Sequence, residues 1–166
     1  MAEPVTAHKD PKLPPPIAVP EGPDWVDLLR NFSPTEADAL VAVVQTLCPH
    51  DNLPLAPYRR VICRFDHLAG STPSALDLCN GFLGLLAEQW PLPFQDLAET
   101  YRVQSLKRIE TTPEFFFVQR MAIRYLYDDV EIWSAFGYQG AAVHLGGYIK
   151  RGFDDLDWLP PLPNDL

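Results

Sequence analysis

The chain has 166 residues, 47% of them hydrophobic and 21% charged, a size and balance that suit one soluble domain burying about 70% of its unfolded surface. A net charge of -9 and an isoelectric point near 4.7 exclude nucleic acid and anionic membrane surfaces as partners, because both require a basic patch that displaces counterions. No stretch approaches the roughly 18 apolar residues of a membrane span, so direct membrane insertion is excluded as well.

Residues 1–32 read as an extended, proline-rich arm. Pro4, Pro11, Pro14, Pro15, Pro16, Pro20 and Pro23 are dense enough to forbid helix and to favour polyproline-like backbone, either as a disordered leader or as a strip laid along a partner. A helical body is expected over residues 33–129. Ser33-Pro34-Thr35-Glu36 is a capping box with proline at the first helical position, where hydroxyl and carboxylate each satisfy an orphan backbone N–H. The helix it starts runs to about Leu47, with Leu40, Val41, Val44 and Leu47 as its apolar stripe. The turn from Cys48 to Pro54 breaks the chain, and Pro57 opens a second helix that carries Val61, Ile62, Phe65 and Leu68 inward and ends at Gly70.

Thr72-Pro73 starts a third helix through Leu76, Cys79, Phe82, Leu83 and Leu86, stopped at Trp90-Pro91. Gly81 and Gly84 weaken it by about 1 kcal/mol each relative to alanine and leave room for close helix contact. Pro93 begins a fourth, in which Phe94, Leu97, Ala98, Tyr101 and Ile109 share a face and Lys107-Arg108 meet the negative end of the dipole. Thr112-Pro113-Glu114 starts a fifth, with Phe117, Val118, Met121, Ala122, Tyr125 and Leu126 in the helical period and Asp128-Asp129 at its end. With no strand-like alternation of useful length, the body is expected to be an all-α bundle of about five helices. The near-equal spacing of Ser33-Pro34, Thr72-Pro73 and Thr112-Pro113 reflects similar helix-hairpin lengths, since the segments beyond these starts do not match as repeats would.

Residues 130–166 read as an irregular tail built to dock. Gly137, Gly140, Gly146, Gly147 and Gly152 interrupt any period, while Trp133, Phe136, Tyr138, Tyr148, Phe153 and Trp158 supply large apolar faces. At about 150 to 250 Å² per ring, six rings cover at least as much as one side of a standard interface, about 800 Å², an area that an irregular tail buries only against its own helical body or a second protein. These six, with His144 as an interfacial hydrogen-bonding group and Arg151 pairing an acid across the contact, are the expected partner-binding residues, aromatics and arginine being the usual hot-spot types.

Reactive chemistry is harder to find. Cys48, Cys63 and Cys79 are too widely spaced for a CxxC ligand pair and odd in number, so they read as reduced, with Cys63 and Cys79 on apolar helix faces as small core residues. None of His8, His50, His67 and His144 has a metal-helix spacing such as HExxH. His50-Asp51 reads as local hydrogen bonding in a turn. Asp154, Asp155 and Asp157 follow Lys150-Arg151, which points to a charge-paired turn; the spacing is not that of an EF-hand. Neither a GxSxG nucleophile context, a dinucleotide fingerprint nor a P-loop is present. The expectation is therefore a chain without catalytic, cofactor-binding or metal-binding residues of its own.

The turn Leu47-Cys48-Pro49-His50-Asp51 with Leu53-Pro54 and Tyr58, and the tail Trp133 to Gly140 with Gly146-Gly147-Tyr148 and Arg151 to Pro160, resemble the gluconate 2-dehydrogenase subunit 3 family over about Ser33 to Pro160. The resemblance implies a small helical subunit accompanying a large flavoprotein of the glucose-methanol-choline oxidoreductase type. In such complexes the large subunit carries FAD and the catalytic histidine and oxidises sugars, sugar acids or related glycosides. The small subunit stabilises it and helps it mature or travel, and an electron-acceptor protein is reached through the complex. Heme does not transfer to this chain, which has no CxxCH. Many relatives carry a twin-arginine signal, whereas the Arg59-Arg60 pair here is mid-chain. The chain as it stands is expected in the cytoplasm, and in the periplasm if a leader was removed or the partner carries the signal. Two other readings compete: a free-standing helical adaptor or chaperone, and a stand-alone enzyme using His144 and the tail aspartates.

Overall fold

The structure is a computed structural model that describes residues 17–138. Expectations for the rest of the chain, including the docking roles of His144, Tyr148, Arg151, Phe153 and Trp158, lie outside the described residues. Six α-helices occupy this part: α1 (Pro34–Leu47), α2 (Leu55–Ser71), α3 (Pro73–Ala87), α4 (Glu99–Ile109), α5 (Pro113–Tyr127) and the short α6 (Val130–Ala135). Two 3-10 turns, Pro23–Leu28 and Phe94–Asp96, join them, and there is no strand among the described residues. The all-α expectation holds.

The helix starts follow the side-chain chemistry of their caps. Ser33 Oγ accepts from the Glu36 N–H at 3.4 Å while the Glu36 carboxylate accepts from the Ser33 N–H at 2.8 Å, so two orphan donors are satisfied reciprocally. Thr112 Oγ1 accepts from the Phe115 N–H at 3.2 Å. Thr72 makes no such bond, although α3 does begin with proline in its first turn.

α1 is the central helix. Ala37 and every residue from Ala39 to Val44 are buried, because α2, α4, α5 and the Phe94–Asp96 turn all pack on it. A helix enclosed this way is apolar on most of its circumference, and the four-residue stripe expected from sequence was too narrow: it omitted Val43, which is fully buried. Around α1 the core continues through Tyr58, Ile62, Phe65, Phe82, Val118, Leu126 and Ile132, each large side chain contributing about 1.5 to 3 kcal/mol by leaving water. Gly81 lets α3 approach α5: a Cβ there would lie 3.1 Å from the Glu114 Cγ. Gly84 faces open space instead.

Four expectations need correction. α2 begins at Leu55, ahead of Pro57, and runs past Gly70 to Ser71, since proline fits anywhere in a first helical turn. Pro93 does not open a continuous fourth helix. Leu97 and Ala98 are extended, so Phe94 and Leu97 reach the core from a loop, while Tyr101 on α4 points outward and meets the Trp90 ring edge-on at 5.1 Å.

The extended arm expected over residues 1–32 gives way, in its described part, to a segment folded onto α2. Trp25 in the Pro23–Leu28 turn is 2% exposed, and Phe32 joins the core. Arg59 of α2 donates to the Pro20 and Glu21 carbonyls, both at 2.7 Å, and its guanidinium lies 5.4 Å from the Trp25 ring centre, within cation–π range. The buried Asp66 carboxylate accepts from the Arg30 and Asn31 backbone N–H groups at 3.0 and 2.7 Å. Tryptophan burial and these fixed donors outweigh the extended preference of the nearby prolines. Finally, the tail expected to be irregular from residue 130 begins as α6, with Ile132 fully buried.

Candidate partner-docking surface

The described start of the tail is held in place by ionic and backbone bonds. Asp129 caps α6, accepting from the Glu131 N–H at 3.0 Å, and receives the Arg60 guanidinium in a two-point contact at 2.6 and 2.9 Å. Arg60 and Asp129 are 5% and 4% exposed, and Arg60 also donates to Glu131 at 2.5 Å. Burial by itself would lower the Arg60 pKa; the bonds and charges of Asp129 and Glu131 outweigh it and leave the pKa raised, so the cation persists throughout the accessible pH range. Beside this pair, Arg64 donates to Asp128 at 2.9 Å. The sequence offered no means of joining Arg60 to an aspartate 69 residues away. The residues had appeared only as a mid-chain arginine pair and a helix end.

α6 closes with a Schellman turn. The Tyr138 N–H donates to the Trp133 carbonyl at 2.8 Å and the Gly137 N–H to the Ser134 carbonyl at 3.2 Å. Gly137 takes φ 71°, the left-handed conformation that glycine adopts without steric cost. The glycine that in sequence interrupts a period is the helix's C-terminal stop. The Trp133 indole N–H donates to the Tyr127 carbonyl at 2.6 Å, capping the end of α5.

These constraints present an aromatic platform. Trp133 meets Tyr138 edge-on at 5.3 Å, and Phe136 lies 5.1 Å from the His50 ring and 6.3 Å from Tyr127. His50 Nε2 shares a hydrogen bond with the Tyr127 hydroxyl at 2.9 Å. Within its own turn the His50 carbonyl accepts from the Leu53 N–H at 3.3 Å, the local bonding expected there, while its side chain reaches the end of α5. One layer deeper, the Tyr58 hydroxyl donates to the Cys48 carbonyl at 3.1 Å, which fixes the turn that carries His50. Phe136, Tyr138 and Tyr127 remain 53%, 47% and 40% exposed, and Trp133 is half-buried.

The thiol and the two phenols at this cluster stay protonated at neutral pH. Burial pushes the Cys48 thiol up against a smaller opposing pull from Tyr127, and burial followed by the nearby Cys48 charge raises both Tyr58 and Tyr127. Cys63 and Cys79 are likewise raised, chiefly by burial. Protonated thiols and phenols are poor nucleophiles. What the arrangement does offer is rigid, half-exposed aromatic area with hydrogen-bonding edges, the composition of an interface centre. Two grooves lie elsewhere, one of about 730 Å³ between α1, α3 and the loop from Trp90 to Gln95, and one of about 1020 Å³ along α2 beside Ile17 and Leu28. No platform residue lines either of them.

Of the expected partner-binding residues, the structure therefore brings Trp133, Phe136 and Tyr138 together and adds His50 and Tyr127 to them. The signals for His50 were its place after a proline in a turn and within the stretch that carries the resemblance; Tyr127 gave none. The chain matches no family model, no curated protein and no solved structure. No helix among the described residues is long and apolar enough to cross a membrane.

Proposed function

We propose that this chain is the non-catalytic small subunit of a flavin-dependent sugar, sugar-acid or glycoside dehydrogenase, docking through the α5–α6 platform to stabilise and help mature an FAD-carrying large subunit. One observation carries the reading. The two stretches on which the resemblance to the gluconate 2-dehydrogenase subunit 3 family rests, Leu47 to Tyr58 and the tail from Trp133, lie far apart in sequence, yet they meet where the His50 and Phe136 rings lie 5.1 Å apart, both beside Tyr127 of α5. Residues of both stretches gathered into one half-exposed aromatic surface support a role in recognition, because core packing alone would not leave these rings facing water.

The test is co-expression with the protein encoded beside it. The reading expects a complex with flavin absorbance and sugar-dependent dye reduction, and loss of both from the purified material when Trp133→Ala and Phe136→Ala are combined. An unchanged complex yield from the substituted chain, or turnover by the isolated chain, contradicts it. Transient binding without retention in the active complex would favour the adaptor or chaperone reading.

A further inference from the structure

The platform alone is too small to hold a stable partner. Three half-exposed rings offer about 300 Å², against about 800 Å² on one side of a standard interface. The surface continues along α5. Phe116 and Ile123 are 57% and 44% exposed, and with Tyr127 they follow the helix at separations of seven and four residues. At about 100° per residue the three lie within an arc of about 40°, a ridge some 16 Å long running into Phe136. Arg120 and Arg124, both exposed, fall about 40° and 80° from Phe116 on the same flank. Neither makes an ion pair within 4.0 Å among the described residues. The opposite flank carries the neutral Gln119.

We infer that this ridge docks an amphipathic helix of a partner protein whose apolar stripe is bordered on one side by carboxylates. The apolar residues determine where the partner helix lies, and the two arginines determine its orientation and sign. In a chain of net charge -9, a cationic flank beside exposed apolar residues selects an acidic surface, which the rest of the protein repels. A second copy of the ridge meets that requirement poorly: the single acid of α5, Glu114, lies on the side facing Gly81 of α3, and Asp128, just past the helix, is already paired with Arg64 at 2.9 Å. The inference rests on the docking reading above but not on the partner being a flavoprotein.

Two synthetic helical peptides of about 18 residues, with one leucine stripe bordered by glutamates or by lysines, test it by fluorescence anisotropy against the full chain. The glutamate peptide is expected to bind at least about tenfold more tightly than the lysine peptide, and its affinity is expected to fall as salt rises from about 50 to 300 mM. The double substitution R120E/R124E is expected to invert the preference. Phe116→Ser is expected to weaken the glutamate peptide without changing which sign is preferred, with helicity checked by circular dichroism for each variant. Equal affinity for both peptides, no binding of either, or an unchanged preference after charge reversal overturns the inference. So does concentration-dependent dimerisation in sedimentation, or pelleting with phosphatidylserine vesicles that exceeds binding of the glutamate peptide. If the peptides behave as expected but no flavoprotein complex forms, the proposed function fails and this inference stands. If the complex forms while the peptides are not distinguished, the reverse holds.

Discussion

Replacing Arg60 with methionine keeps most of the apolar stem and removes the charge that neutralises Asp129. Asp129 is then left 4% exposed with the Glu131 N–H at 3.0 Å as its remaining donor. Removing one partner of a buried ion pair costs about 3 to 5 kcal/mol, because the other charge is stranded in a poorly solvated site. The Glu131 side chain is 41% exposed and can turn to water, so its lost contact adds little. The expected loss is therefore near the lower end, about 3 kcal/mol, or roughly 6 to 12 °C in Tm for a domain of this size. Urea denaturation measures it directly. The double substitution R60M/D129N removes both charges and is expected to recover at least about 2 kcal/mol of that loss. Hydrogen exchange in the single variant is expected to accelerate first in α6 and the Schellman turn, where the anchor is lost. A cost below about 1 kcal/mol, the value of a surface pair, with unchanged exchange in α6, would refute the claim that this pair holds the platform.

Other substitutions separate the remaining contributions. Gly137→Ala forces a Cβ into φ 71° and is expected to cost about 1 to 2 kcal/mol while accelerating exchange at Tyr138; a neutral result in urea would show that the Schellman turn does not form. Trp25→Ala is expected to cost about 3 to 5 kcal/mol and to expose the segment around Pro23–Leu28 to limited proteolysis, whereas an unchanged cleavage pattern would contradict its packing on α2. Burial pushes the Cys79 thiol from 9.0 up to about 12. Below pH 9 both folded and unfolded thiols are protonated and the fold keeps its full stability; between 9 and 12 only the unfolded chain loses the proton. Stability therefore falls as pH rises, by about 1 kcal/mol per pH unit and on the order of a few kcal/mol across the window. Cys79→Ala is expected to flatten the slope of urea stability between pH 9 and 11 by about that amount per pH unit, and an identical slope would refute the assignment.

Helix positions were legible where a single residue carries a strong local cost. Prolines at 34, 73 and 113 admit helix only on their C-terminal side, and the three starts fall there. Pro57 and Pro93 misled because proline tolerates more than one place in a first turn and also suits a 3-10 turn. Trp25 was hidden because proline density describes backbone preference, while its burial depends on Arg59 and Asp66 arriving from α2, contacts no local pattern encodes. The same limit applies to the platform. Trp133, Phe136 and Tyr138 were visible as aromatics without a stripe, but their arrangement depends on Arg60, His50 and Tyr127, brought in from other helices. Gly137 shows a third kind of limit: a glycine between aromatics can break a helix or finish one, and only the bonds from Tyr138 and Gly137 back to α6 distinguish the two.

Hydrogen exchange of the chain alone and in its purified complex distinguishes docking on α5 and α6 from docking elsewhere. Added protection is expected in backbone amides from Tyr127 to Tyr138 and along the outer face of α5, with the groove between α1 and α3 unchanged. Protection confined to that groove or to the Pro23–Leu28 segment, with the α5–α6 amides exchanging as they do in the free chain, would contradict docking through the α5–α6 platform.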